Sequence, residues 1–138
     1  MEVKFWKDKS KKHIEPELFS SKAEELAKKI FDEGGGRLNN PTQIRKFYDE
    51  VVRFDSMVKS NPAEFDSMIP YLKMLNAKAA YAMGRDLVSK SFKDFINSSL
   101  KQIHDRDDFT AFAGLFEAFM GYYKFYDKKG ERPRGGAR

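Results

Sequence analysis

The chain has 138 residues, 41% of them hydrophobic, and no cysteine. That length suits one domain with room for a core, and the missing thiols exclude a disulfide framework and thiolate chemistry. The formal charge of +5 sits at the ends: residues 128–138 hold five cations against one acid and residues 1–17 five against four, which leaves 18–127 neutral.

Residues 1–17 are polar and basic and are expected to be flexible, with Phe5 and Trp6 as the groups able to dock on the body. There is no apolar signal core here. Nor does any later run reach the ~18 apolar residues of a membrane span. The expectation is a soluble, cytoplasmic protein with no membrane partner. Ser20-Ser21-x-x-Glu24 has the form of a capping box, opening a helix over 22–32 with Ala23, Leu26, Ala27 and Ile30 on one side. Gly34-Gly35-Gly36 ends it. No Lys-Ser/Thr follows the glycines and no strand precedes them, so they read as a connection and not as a phosphate cradle.

The second helix, over 41–60, has the clearest start in the chain. Asn40 is a good cap, and Pro41 fits the first turn, where its missing N–H costs nothing. Ile44, Phe47, Tyr48, Val51, Phe54 and Val58 recur at three- and four-residue steps and form one apolar face. Arg45, Lys46, Asp49 and Arg53 lie on the other. A third helix follows Asn61-Pro62, with Phe65, Met68, Ile69, Leu72, Leu75 and Met83 as its apolar set; Pro70 is expected to kink or split it. A fourth spans 89–103, with Phe92, Phe95, Ile96 and Ile103 inward. A fifth, capped by Asp107 or Asp108, presents Phe109, Phe112, Phe116, Phe119, Met120 and Tyr123. Strand signals are absent. The fold class is all-α: a compact bundle of about five helices over 18–127, with disordered basic termini that include an Arg/Gly-rich tail over 128–138.

Catalysis finds little support in these residues. His13 and His104 lie far apart with no Cys partner, which argues against zinc, and no P-loop, G-x-S-x-G or kinase motif occurs. Glu24-Glu25, Asp49-Glu50 and Asp107-Asp108 read as caps and solvated faces. No cofactor is implied. The charge is nevertheless polarised along the body: residues 73–104 carry +4 and residues 105–127 carry −3, a pattern that suits a polyanion on one side and head-to-tail packing of copies on the other. Lys78 and Arg85 are seven apart with Tyr81 between them. Such a face can pair with phosphates and stack on a base. The competing reading makes Tyr81 a core residue and the cations a solvated surface.

Three stretches resemble a known family. Gln43-Ile44-Arg45-Lys46-Phe47, opening a helix after Asn40-Pro41-Thr42, is similar to a signature of the small subunit of type III-A CRISPR effector (Csm) complexes. Tyr71-Leu72 with Lys78-Ala79-Ala80-Tyr81-Ala82-Met83-Gly84-Arg85 resembles that family's central helix. Phe109, Phe112, Phe116-Glu117-Ala118-Phe119 and Tyr122-Tyr123-Lys124 resemble its closing helix. The matches run in order over about residues 40–125. The resemblance implies an all-helical, non-catalytic RNA-binding subunit present in several copies along guide RNA and single-stranded target RNA, beside other effector subunits. The residues expected to contact RNA are Arg45, Lys46, Arg53, Lys73, Lys78, Tyr81 and Arg85. Rival readings are a helical protein–protein adaptor and, less well supported by the acidic residues after Asn61-Pro62, a helix-turn-helix regulator.

Overall fold

Phenylalanines at three- and four-residue steps make the last helix the spine of the molecule. The structure, a computed structural model, describes residues 2–131 and the side chains as far as Lys128. Along α6 (Arg106–Glu131), Phe109, Phe112, Phe116 and Phe119 are wholly buried and Tyr123 nearly so. Helices α1 (Ser21–Gly34) and α2 (Pro41–Ser60) pack on α6. Helix α5 (Lys90–Lys101) adds Phe92 and Phe95 to the same aromatic core and supports α4 (Leu75–Gly84) on its other side. Phe116 meets Tyr48, Phe92, Phe95, Phe112 and Phe119 at ring-centroid distances of 5.3–6.5 Å. Offset and edge-on pairs at this spacing add to the burial free energy.

The α2 face is as the periodicity predicts: Ile44, Phe47, Val51, Phe54 and Val58 are buried and Tyr48 partly so. Asn40 caps the helix, its Oδ1 accepting the Thr42 N–H at 2.8 Å. The third predicted helix is divided in two, α3 (Phe65–Lys73) and α4, but the break falls at Met74 and not at Pro70. Pro70 removes one backbone bond to Asp66 and sits on an exposed side of a short helix, where water can serve the freed carbonyl. Met83, expected in the core, is 37% exposed, because the buried face of α4 is Leu75, Ala79 and Ala82. The Ser20 capping box does not form, since the Ser20 side chain makes no cap bond. Asp105, not Asp107 or Asp108, caps α6, its Oδ1 accepting the Asp108 N–H at 2.9 Å. Gly35 closes α1 in the left-handed region (φ +57°), and Gly36 continues there at φ +79°.

Residues 2–17 depart from the flexible segment expected. Strands β1 (Trp6–Asp8) and β2 (His13–Ile14) pair antiparallel, a ribbon too short to show alternation in the sequence. Phe5 is fully buried against Phe112. The Gln102 amide holds the backbone on both sides, donating to the Val3 carbonyl at 2.8 Å and accepting the Phe5 N–H at 3.2 Å. Asp108, only 1% exposed, accepts from the Trp6 indole N–H (2.8 Å), Lys9 Nζ (2.9 Å) and the His104 N–H (2.9 Å). These anchors come from about a hundred residues downstream, out of reach of any local pattern. Asp108→Ala orphans the Trp6 and His104 donors and is expected to cost ~2–4 kcal/mol, with Lys9 contributing little because it stays hydrated. Hydrogen exchange should then rise over residues 3–14 while α2 keeps its protection. Helix α6 continues to Glu131, into the stretch expected to be tail, and residues 132–138 lie outside those described.

Candidate nucleic-acid interface

The outward side of α2 and the outward side of α4 face each other across a groove. Its floor is apolar, formed by Leu87 and by the outer edges of the mostly buried Phe47 and Leu75. One part, of 280 Å³, is lined by Gln43, Lys46, Phe47, Glu50, Tyr81 and Leu87, with Leu75, Lys78 and Ala82 completing it. A second part, of 270 Å³, shares Leu75 and Lys78 and is walled by Arg53, Met57, Met68, Tyr71 and Met74. Tyr81 is 65% exposed and Tyr71 66%. Neither is a core residue. The Tyr81 hydroxyl accepts a hydrogen bond from Arg85 Nη1 at 3.0 Å, and the guanidinium carbon lies 5.7 Å from the ring centroid. A cation held over an aromatic ring leaves the opposite ring face open for stacking.

Glu50 occupies the middle of this groove and is not the member of a solvated acidic pair that the sequence suggests. Its side chain is 24% exposed. Oε1 accepts from Lys78 Nζ at 2.6 Å and Oε2 accepts from Arg53 Nη2. The hydrogen bond from Lys78, then that from Arg53, hold its carboxyl below the ordinary glutamate range. A depressed acid contributes stability above its unfolded pKa that is lost as pH falls through the folded one, so this clamp is complete at neutral pH and opens only on acidification. A local signal for it exists: Lys46, Glu50 and Arg53 stand at i, i+4 and i+7 on one helix, next to an apolar stripe.

A family model described as Csm2 Type III-A matches residues 13–129. The chain belongs to the Csm2 family. It is thus a small subunit of the type III-A CRISPR complex, as the helical signatures implied. "CRISPR system Cms protein Csm2" of Streptococcus thermophilus is 31% identical over 100 residues, covering 71% of this chain and 81% of that protein. No solved structure matches.

For a Csm2 chain, the placement of the seven expected contact residues is informative. Lys46, Arg53, Lys78 and Tyr81 line the groove, and Arg85 joins them through Tyr81. Arg45 does not: it lies on the exposed back of α2, with Nε 3.8 Å from Asp49. Lys73, half-buried in the last turn of α3, also lines neither part. Polar and exposed groove residues outside that expected contact set are Gln43, Glu50, Met57, Tyr71 and Met74. Among the described residues no group of three or more His, Asp or Glu could hold a metal ion, and no helix is long and apolar enough to cross a membrane.

Proposed function

We propose that this Csm2-family chain is a non-catalytic, cytoplasmic RNA-binding subunit of the type III-A effector. It holds guide or single-stranded target RNA through phosphate contacts from Lys46, Arg53, Lys78 and Arg85, with Tyr81 stacking on a base. The observation that carries this reading is the exposed Tyr81 ring, backed by Arg85 and standing in one groove with Lys46 and Lys78. An apolar surface ringed by cations suits a single strand, which offers both charge and unpaired ring faces. Arg45 and Lys73, outside the groove, take no part in this reading.

The test pairs affinity with salt dependence. Replacing Lys46, Arg53, Lys78 and Arg85 by Ala should weaken binding to every single-stranded RNA alike. The slope of log affinity against log salt should become shallower by ~0.7 for each phosphate that is no longer neutralised. Tyr81→Ala should lose ~1–3 kcal/mol of binding with the slope unchanged. Its melting temperature should stay near wild type, because the ring is exposed. A folded quadruple variant that binds RNA as before would place the RNA surface elsewhere.

A protein-docking role has its own support. Phe19, Tyr122 and Phe125 form an exposed apolar patch beside α1 and on α6, away from the groove, with Phe19 43% and Phe125 50% exposed. Such a patch suits contacts with other effector subunits or with further copies of the chain. The opposed formal charges of 73–104 and 105–127 do not carry over into two free faces, because Lys9 pairs with Asp105 and Asp108 and Lys12 with Asp107.

A further inference from the structure

We infer that the part of the groove between α2 and α4 is a nucleobase subsite. In it, Glu50 accepts hydrogen bonds from the amino edge of one unstacked base of a single-stranded RNA. This rests on the groove reading above and sharpens it, because it gives the strand an orientation and the site a base preference.

Four observations carry it. First, the groove floor presents acceptor oxygens. Glu50 stands there as a carboxylate held in place between Lys78 and Arg53. Secondly, cations stand beside that carboxylate: Lys46 and Lys78 line the cavity, and Arg85 is held on the Tyr81 ring at its edge. A backbone drawn to them leaves its bases directed at the floor. Thirdly, Glu50 has acceptor capacity to spare. Lys78 uses one site on Oε1 and Arg53 one on Oε2, whereas an ionised carboxylate offers about four. Lys78 and Arg53 also hold it ionised, so it accepts and does not donate. Fourthly, the cavity has the size and lining for one base. At 280 Å³ it lies just below the range of drug-sized pockets. Phe47, Leu75 and Leu87 give it an apolar floor and Tyr81 an aromatic wall.

The chemistry of that acceptor separates the two pyrimidines, which are alike in size. Cytosine presents an exocyclic amino group at C4, and carboxylates accept from it well. Uracil has only its N3–H, set between two carbonyl oxygens that a carboxylate repels. Cytosine should therefore be taken in preference to uracil, although phosphate contacts alone would treat the two strands alike.

The deciding measurement is fluorescence anisotropy with oligo(rC) and oligo(rU) of equal length at one salt concentration. The wild-type chain is expected to bind oligo(rC) about five- to tenfold more tightly, a value within the range for one base contact, with equal salt slopes for the two. Glu50→Gln, which keeps shape but can donate as well as accept, should abolish the preference. Asp49→Asn makes the same change in charge on the exposed back of α2 and should retain it. Equal affinities in a wild-type protein that binds both strands, or a preference that survives Glu50→Gln in a folded variant, would overturn the subsite while leaving the groove's role in RNA binding intact. Failure to bind either strand would remove both.

Discussion

Phe116→Ala should destabilise the chain by ~3–5 kcal/mol, among the largest effects of any single truncation, read from urea or thermal unfolding. The ring is wholly buried and touches aromatic groups from α2, α5 and α6. Removing it costs its transfer free energy and leaves a cavity that three helices would have to close together. The neighbours are poorly able to do so. Phe92, Phe95, Phe112 and Phe119 are each less than 2% exposed and packed against one another, so moving one ring inward opens space behind it. Phe116→Leu keeps most of the volume and should recover the larger part of the stability. Phe125→Ala on the same helix is the contrast. That side chain is 50% exposed, and its truncation should cost no more than about 1 kcal/mol. A Phe116→Ala variant no weaker than Phe125→Ala would mean that α6 is not the spine of the molecule.

The helical body is legible in the sequence because its information is local. The stripe on α2, the Asn40 cap and the aromatic series of α6 all repeat within three or four residues, and the buried set follows from them. What cannot be read there depends on partners far away in the chain. Phe5 and Trp6 are legible as groups able to dock, but where they dock is not, until Phe112, Gln102 and Asp108 are placed beside them. The same limit explains the site. Lys78, Tyr81 and Arg85 are recognisable as a helical stripe, but whether Tyr81 faces the core depends on which side of α4 meets α5. The small residues Ala79 and Ala82 settle that by turning inward. Glu50 is obscured for the opposite reason: next to Asp49 it resembles half of a solvated pair, and only the approach of Lys78, 28 residues away, makes it the centre of the groove.

Asn39→Ala should rank with Phe116→Ala, at ~3–5 kcal/mol, although the side chain is small and polar. Asn39 is 1% exposed and has a left-handed backbone, φ +60°. Its Nδ2 donates to the Ile30 carbonyl at 3.0 Å and to Ser89 Oγ at 2.9 Å, while Oδ1 accepts the buried Ser89 N–H at 2.8 Å. Its own N–H bonds the Leu87 carbonyl at 3.0 Å, and its carbonyl accepts from the Tyr123 hydroxyl at 2.5 Å. One residue thus ties the end of α1, the turn between α4 and α5, and α6. Alanine would orphan the buried Ser89 N–H at ~1–3 kcal/mol and would take from the Ile30 carbonyl its second donor, leaving only its bond within α1. It would also adopt the left-handed region at a further ~1–2 kcal/mol, a cost that asparagine largely escapes. Asn39→Gly removes the same side-chain bonds without that backbone strain, so it should be less damaging than Asn39→Ala despite the added freedom of its unfolded chain. Tyr123→Phe removes only one hydroxyl and should cost ~0.5–2 kcal/mol. The order Asn39→Ala, then Asn39→Gly, then Tyr123→Phe, from most to least destabilised in chemical denaturation, tests the hub. If Asn39→Ala unfolds at the wild-type denaturant midpoint, the buried amide does not hold these helices together.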